Sequence, residues 1–253
     1  MDADVAADAI EIVRADGVRL AARHQPGAGP AILFLHGLMS TMQGQKAEHL
    51  AQHAAARGSE FLRFDCSGHG GSGGRFVDGT IGGWLGDARL ASERLASRRM
   101  ILVGSSIGGW LALLLALARP DAVAGLLLVA PAPDMTRRVA ANLPPDAAEA
   151  LQRDGVWHRP GSSGAPIPIT RTMLEDGERH CLPDGPIAVG CPVRILHGQQ
   201  DADVPWEGSL RLAARLAASD VQLTLVKDGD HRLSRPADIA LMTAALDALR
   251  RTA

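Results

Sequence analysis

The chain has 253 residues, a formal net charge of −2 and 46% hydrophobic residues, which is enough for one large α/β domain. The nearly neutral charge gives no electrostatic reason to expect nucleic acid or an acidic membrane as partner, and aromatic residues make up only 3%. The three cysteines are far apart and form no C-x-x-C pair, so neither a disulfide framework nor a zinc knuckle is expected.

The N-terminal stretch is acidic, with Asp2, Asp4 and Asp8 before the first apolar residues of a predicted strand. It has no basic segment followed by an apolar run, as a secretion signal would, and it is too acidic for a mitochondrial presequence. No apolar run approaches the ~20 residues that a membrane span needs. We therefore expect a cytoplasmic protein without a membrane span.

Strand and helix patterns alternate along the first part of the chain. The alternation at 10–13, the turn Asp16-Gly17 and the return at 18–22 predict two antiparallel strands. Continuous apolar runs predict buried strands at 31–35 and 61–64. Helices are predicted at 44–57 and from Thr80, as N-cap, to about Ser97.

The later part repeats this alternation around one irregular segment. Strands are predicted at 101–104, 123–130, 193–196 and 221–226, and helices at 111–118, 206–217 and 237–250. Prolines break residues 132–190 into short pieces. The pattern predicts one α/β domain over 1–253, a mostly parallel sheet covered by helices on both faces, with 132–190 as a lid inserted after strand six.

Ser106 stands between a buried strand and an apolar helix, with Gly104 and Gly108 two residues to either side. Glycines are expected there because strand and helix pass too close for a Cβ, and the helix N-terminus favours an oxyanion beside the hydroxyl. Ser105 competes as nucleophile, but Ile107 stands where it would need a glycine. A glycine-rich turn without chemistry is the alternative interpretation.

Candidate partners for Ser106 follow the last two predicted strands. Strand 193–196 is followed by His197, Asp201 and Asp203, and strand 221–226 by His231. A serine nucleophile needs a histidine base that a carboxylate orients. Because parallel strands end at one edge of the sheet, these side chains are expected near Ser106. His197 precedes a glycine, where a structural hydrogen bond is expected.

The sequence His36-Gly37-Leu38 follows the strand at 31–35. The backbone N–H groups of Leu38 and Ile107 are predicted to form an oxyanion hole, although Gly37 could instead only turn the chain. The glycine-rich loop at 66–74 lacks the lysine of a phosphate-binding loop, and Asp65 before it is expected to cap the loop.

From about Ile10 onward the chain resembles the α/β-hydrolase superfamily, and more closely the α/β-hydrolase domain-containing protein 10 group of mitochondrial acyl-protein thioesterases. The resemblance is carried by RFDCSG at 63–68, VGSSIGGW at 103–110, GVW at 155–157, HCL at 180–182, CPVRILHG at 191–198, VPW at 204–206 and DHR at 230–232. It implies a Ser-Asp-His triad at Ser106, Asp201 and His231, acting on acyl thioesters and acyl glucuronides.

The resemblance also separates the two aspartates. In related hydrolases the triad acid stands three residues before a Val-Pro pair, and Val204-Pro205 places that position at Asp201. Asp203 is then expected to face solvent or to cap the helix that begins near Pro205.

These observations predict a serine hydrolase that cleaves carboxylic esters or thioesters, from small molecules or S-acylated protein, through an acyl-enzyme on Ser106. No metal and no organic cofactor are implied. An acyltransferase or a cofactor-free peroxidase would use the same triad, and a non-catalytic binding module is the alternative outside enzymes. Physiological substrate, acyl-chain length and oligomeric state stay open. The side chains expected to line an acyl pocket are Met39, Met42, Met135, Trp157 and Met173.

The predicted lid carries charges of both signs. Its arginines are matched by a larger number of Asp and Glu residues, so no net positive field is expected over the site. A solvated surface is therefore favoured over a binding site for an anionic leaving group.

Overall fold

The computed structural model describes residues 7–96, 99–161, 164 and 166–252, so that Asp2 and Asp4 lie outside the described residues. The strands are β1 (Asp8–Val13), β2 (Arg19–Gln25), β3 (Ala28–Leu35), β4 (Ser59–Phe64), β5 (Met100–Ser105), β6 (Val123–Val129), β7 (Val156–Arg159), β8 (Ile167–Thr170), β9 (Val193–Gly198) and β10 (Val221–Val226). The α-helices are α1 (Gln45–Ala55), α2 (Ile81–Ser92), α3 (Ile107–Ala118), α4 (Met135–Ala141), α5 (Pro145–Asp154), α6 (Arg171–Arg179), α7 (Glu207–Arg215) and α8 (Pro236–Thr252).

The main sheet runs in the order β1-β2-β4-β3-β5-β6-β9-β10. From β4 to β10 each neighbouring pair is parallel, whereas β1 and β2 form an antiparallel ribbon at one edge. The strands β5, β6, β9 and β10 are therefore adjacent and end at the same edge. This arrangement agrees with the mostly parallel sheet expected from the sequence.

The central strands are buried on both faces, as their continuous apolar runs predict. Along β5, Met100 and Leu102 join one core cluster while Ile101 and Val103 join the other. The first cluster packs against α2, α3 and α7, and the second against α1 and α8. Helices consequently cover both faces of the sheet.

The 132–190 segment connects β6 to β9 and holds α4, α5, the β7–β8 pair and α6. Its apolar residues Met135, Ile169 and Met173 belong to the same core cluster as the sheet and α3. A carboxylate oxygen of Asp176 accepts the N–H of Gly82 at 2.7 Å, which joins α6 to the first turn of α2. That the segment acts as a lid stays a prediction.

The helix boundaries differ by a few residues from those expected, as α2 and α7 show. Thr80 caps α2 as predicted, accepting the N–H of Gly83 at 3.0 Å, but the helix ends at Ser92. The predicted end at Ser97 lies outside the described residues. The helix expected from Trp206 begins at Glu207, with Trp206 as its N-cap residue.

Candidate active site

Ser106 lies in the turn between β5 and α3, in a backbone conformation that residues other than glycine rarely adopt. Its φ is 55° and its ψ −119°. The strained turn is held by neighbours: the N–H of Ser106 donates to Val129 O at 2.9 Å, and its carbonyl accepts the N–H of Ala132 at 3.0 Å. Strain of this kind is found where the surrounding structure over-determines it. Ser105 is the buried last residue of β5.

The glycine spacing around Ser106 has a steric cause. A Cβ on Gly108 would overlap the carbonyl oxygen of Leu35 at the end of β3, and one on Gly104 would overlap the carbonyl of Gly108. The helix therefore begins directly against the strand ends, as the sequence pattern predicts.

The loop after β3 passes over the serine. A Cβ on Gly37 would lie 3.3 Å from the Cβ of Ser106 and 3.4 Å from the carbonyl oxygen of Ser105. The N–H of Ser40 donates to Gly37 O at 3.1 Å, which closes a turn around Leu38. Within the described ranges neither Leu38 nor Ile107 uses its backbone N–H in a hydrogen bond. Both groups are thus available to an oxyanion beside Ser106.

A buried histidine ties this loop to the one after β4. The Nε2 atom of His36 accepts the N–H of Cys66 at 3.0 Å, so the proton sits on Nδ1, which donates to Gly37 O at 2.8 Å. Burial lowers the pKa of His36, which favours this neutral form. The ring thereby fixes the carbonyl that precedes the Leu38 N–H.

Two buried charged residues hold the other end of the same loop at Met42. Asp65 accepts the N–H of Met42 at 2.6 Å and that of Gly71 at 2.8 Å, so it caps the glycine-rich loop as expected. Arg63 donates to the Met42 carbonyl at 2.9 Å and to Glu48 at 2.7 Å. The loop that carries Leu38 is therefore clamped at both ends.

The structure brings together the acid and the base expected from the sequence. The Nδ1 of His231 lies 2.6 Å from Oδ2 of Asp201, whose side chain is completely buried. The loops that carry them pack directly on each other. A Cβ on Gly198 would overlap the carbonyls of Gly229 and Asp230, so only a glycine fits at this contact. This spacing is that of a charge-assisted hydrogen bond between an imidazole and a carboxylate.

Further hydrogen bonds complete the surroundings of Asp201. Its Oδ1 accepts the backbone N–H groups of Asp203 and Val204, both at 2.8 Å, and its Oδ2 also lies 3.0 Å from Nε2 of His197. Burial opposes ionisation, but the hydrogen bonds from His197 and His231 outweigh it and hold the pKa of the Asp201 carboxyl well below its usual value. Asp201 is therefore a stable carboxylate at neutral pH.

Asp203 differs from the expectation. It does not cap α7, because that helix begins at Glu207 and its N-cap Trp206 makes no side-chain cap hydrogen bond. Instead its carboxylate lies 3.7 Å from the guanidinium of Arg159 on β7. The side chain thus faces the 132–190 segment across a cavity.

The Ser106 hydroxyl makes no hydrogen bond to His231 or to any other described residue. Catalytic hydrogen bonds are often long in substrate-free structures and tighten when substrate binds. The structure therefore joins two members of the expected triad directly and places the third at the end of β5, in the same row of adjacent strand ends.

A cavity of about 410 Å³ lies beside Asp201. One wall is the loop from Asp201 to Pro205, and the other comes from α4 and β7 of the 132–190 segment. The residues from that segment are Arg138, Val139, Asn142, Trp157 and Arg159. Two arginines of the predicted lid thus line a cavity next to the site, although no net positive field is expected from its composition.

The residues expected to form an acyl pocket are placed differently from one another. Trp157 lines the cavity, and Met39 is half exposed in the loop over Ser106, with a φ of 55°. Met42, Met135 and Met173 are buried, the last completely, and Met135 and Met173 pack in the core. These three methionines therefore do not line this cavity.

Asp201, Asp203 and His231 present ligand atoms within 4.8 Å of one another, which is the spacing of a metal cluster. The Asp201 oxygens, however, already accept hydrogen bonds from two histidines and two backbone N–H groups. Those contacts account for the position of the Asp201 carboxylate.

For two residues, His36 and His197, the sequence did not predict a contact with the site. His36 and His197 each stand directly before a glycine at the end of a strand, and each hydrogen-bonds into a loop of the site. That shared position, a histidine before glycine at a parallel-strand end, is the only signal in the sequence that could have found them.

Comparisons with known proteins extend over nearly the whole chain. Residues 28–173 match a protein-family model described as serine aminopeptidase, S33. Palmitoyl-protein thioesterase ABHD10 from Pongo abelii, mitochondrial by its name, is 39% identical over 238 residues, which are 93% of this chain and 78% of that protein. The mouse alpha/beta hydrolase domain-containing protein 10 superposes with a TM-score of 0.89 at 38% identity, covering 96% of this chain and 98% of that one. A protein from Agrobacterium vitis S4 superposes with a TM-score of 0.90 at 41% identity, covering 96% and 98%.

These similarities confirm the expected fold. No described helix combines the length and the apolar composition needed to span a bilayer. The expected cytoplasmic location stays a prediction, since the relative from Pongo abelii is mitochondrial by its name.

Proposed function

The chain belongs to the α/β-hydrolases, in the family that includes palmitoyl-protein thioesterase ABHD10, and from this premise we propose that it hydrolyses acyl esters and thioesters through an acyl-enzyme on Ser106. The observation that carries the proposal is the 2.6 Å contact of His231 Nδ1 with buried Asp201, at the strand edge where Ser106 lies in its strained turn.

Each group has a defined part in the proposed reaction. Nε2 of His231 takes the proton as Ser106 Oγ attacks the acyl carbon, and Asp201 stabilises the imidazolium that forms. The N–H groups of Leu38 and Ile107 bind the oxyanion, each contributing about 3–4 kcal/mol to the transition state. Collapse of this intermediate expels an alcohol or thiol, which takes the proton from His231.

The same groups then act on water. His231 removes a proton from a water molecule as its oxygen attacks the acyl-enzyme, and the Leu38 and Ile107 N–H groups bind the second oxyanion. Its collapse releases the carboxylic acid and returns the proton to Ser106 Oγ. An acyltransferase would replace this water by another acceptor, so product identification separates the two activities.

On the acyl side we propose medium to long chains. The half-exposed Met39 and the Val139 and Trp157 side chains of the cavity offer apolar surface near Ser106 and Asp201. Each methylene that enters such a surface adds up to ~0.8 kcal/mol, close to fourfold in kcat/KM. The palmitoyl-protein thioesterase name of the relative from Pongo abelii points in the same direction.

Rates on p-nitrophenyl esters from two to sixteen carbons, and on matched thioesters, test this proposal. We expect turnover of both classes, with kcat/KM rising as the chain lengthens. A steady fall beyond acetyl would contradict the acyl preference and leave a small-ester hydrolase. No turnover of either class would contradict the hydrolase proposal itself.

A second candidate concerns the leaving group. Arg138 makes no hydrogen bond or ion pair with any described side chain, and it lines the cavity beside Asp201 together with Arg159. Burial and the nearby Arg159 lower the pKa of Arg138 more than the nearby Asp201 raises it, so its charge is only partly compensated. An ester whose leaving group carries a carboxylate would supply that compensation.

A further inference from the structure

His197 is a buried histidine that contacts the proposed triad from behind. It is the fifth residue of β9, and its ring is completely buried. Nε2 lies 3.0 Å from Asp201 Oδ2 and 3.1 Å from the carbonyl oxygen of Val204, and Nδ1 lies 2.7 Å from Oγ of Ser209 on α7. Every nitrogen of the ring therefore has a partner.

These partners determine where the proton of His197 sits. A carboxylate and a carbonyl can only accept hydrogen bonds, so Nε2 must carry the hydrogen and donate to Asp201 and Val204. In the neutral ring Nδ1 then accepts, and the Ser209 hydroxyl is its donor. The acceptors at Nε2 thus fix the tautomer of His197 that donates to Asp201, and the Ser209 hydroxyl holds the other side of that ring in place.

The two histidines meet on one oxygen. Oδ2 of Asp201 accepts from His197 at 3.0 Å and from His231 at 2.6 Å, while Oδ1 accepts two backbone N–H groups. A carboxylate with both oxygens held in this way cannot rotate about its terminal torsion without breaking at least one hydrogen bond. Without His197, the two backbone N–H groups would still hold Oδ1, but Oδ2 would have His231 as its one hydrogen-bond partner among the described residues.

We propose that His197 is a positioning residue that, with Ser209, holds Oδ2 of Asp201 in the direction His231 requires. This rests on the proposed function, because it gives Asp201 the part of the triad acid. The base gains from such a constraint, because the side chain of His231 is partly exposed, whereas those of Asp201 and His197 are completely buried. The buried side chains of His197 and Asp201 thereby fix the orientation of the partly exposed His231 ring.

The test compares His197→Leu with His197→Gln. Leucine fills the site but cannot donate, whereas the amide of glutamine can donate to Asp201 as Nε2 does. A hydrogen bond to a charged group is strong enough that its loss should lower kcat about 10- to 100-fold, with KM changed less than about twofold. We expect His197→Gln to recover most of that kcat. Ser209→Ala, which removes the partner of Nδ1 but leaves the donor to Asp201 in place, should give a smaller loss of kcat.

Steady-state kinetics on one ester and one thioester, with circular dichroism as a check on folding, give the readout. A His197→Leu variant that keeps wild-type kcat would overturn the inference, as would a folded His197→Gln variant no better than leucine. If His197→Leu does not fold, the test rests on kcat of the His197→Gln and Ser209→Ala variants. The inference then fails if Ser209→Ala keeps wild-type kcat.

The wild type and Asp201→Asn are measured in the same series. A wild type that turns over neither substrate overturns the proposed function and this inference with it. An active wild type that loses kcat in Asp201→Asn but not in His197→Leu overturns the inference alone.

Discussion

Gly37 and Ser106 lie so close that a single methyl group on the glycine would reach the serine. A Cβ at Gly37 would be 3.3 Å from Ser106 Cβ, which is tighter than most side-chain contacts. Ser106 cannot move away easily, because its turn is tied to Val129 and Ala132. The loop that carries Leu38 would have to shift instead.

Gly37→Ala should therefore damage catalysis more than folding. A displacement of a few tenths of an ångström at the oxyanion donor should lower kcat about tenfold, since about 1 Å of misplacement can cost a hundredfold. Gly86→Ala is the matched control, because a Cβ at Gly86 in α2 meets nothing within 4 Å. It should keep full activity. Equal kcat in the two variants would place Leu38 outside the oxyanion hole.

Asp201→Asn should lower kcat strongly, whereas Asp203→Asn should mainly lower stability. The Asp201 carboxylate lies 2.6 Å from Nδ1 of His231, so replacing it by the amide of asparagine should lower kcat on the order of 10⁴-fold. Asp203 faces Arg159 at 3.7 Å, and its loss should cost at most about 1 kcal/mol of stability and little activity. Kinetics and urea unfolding of both variants check this. The reverse ranking of kcat would show that Asp203 is the triad acid.

Arg138→Gln should reveal whether the cavity selects anionic leaving groups. For matched esters with neutral and carboxylate-bearing leaving groups, we expect kcat/KM to fall about tenfold for the anionic ester only. Arg137→Gln is the control on the same helix, since Arg137 is exposed and pairs with Glu178 at 2.6 Å. The same change in kcat/KM for both esters would contradict selective recognition by Arg138.

His69 in the glycine-rich loop should make the stability of the fold sensitive to acid. His69 packs against His36, Phe76 and Trp84, and burial together with the neighbouring His36 lowers the pKa of His69 to about 4. The unfolded chain, with a histidine pKa of about 6.5, then binds a proton that the folded chain excludes. Stability is therefore fully present above about pH 6.5 and is lost as the pH falls towards 4.

The measurement is the free energy of unfolding in urea at pH 7 and pH 5. His69→Leu, which cannot titrate, should lose about 2 kcal/mol less than the wild type between these two pH values. An identical loss in both proteins would show that His69 is not the group that resists protonation.

Much of the site follows from local rules that can be read in the sequence. The spacing of Gly104, Ser106 and Gly108 indicates the turn, and part of its steric cause is local, because a Cβ on Gly104 would overlap the carbonyl of Gly108 within five residues of chain. That Asp201 and His231 meet also follows, since parallel strand ends share one edge of the sheet.

Contacts across the fold could not be read in this way. The partners of His36, His197 and Asp203 depend on how separate loops pack, and no periodicity encodes that packing. The methionines show the same limit, because apolar residues in an irregular segment serve equally well in a pocket or in the core. Met173 proved to be completely buried.

The central claim, that Ser106 is the nucleophile, is tested most directly by labelling with a fluorophosphonate and measuring the intact mass. We expect one adduct on the wild type and on Ser105→Ala, and none on Ser106→Ala, which should also lose turnover of every ester and thioester. An adduct on Ser106→Ala together with its loss from Ser105→Ala would contradict the account.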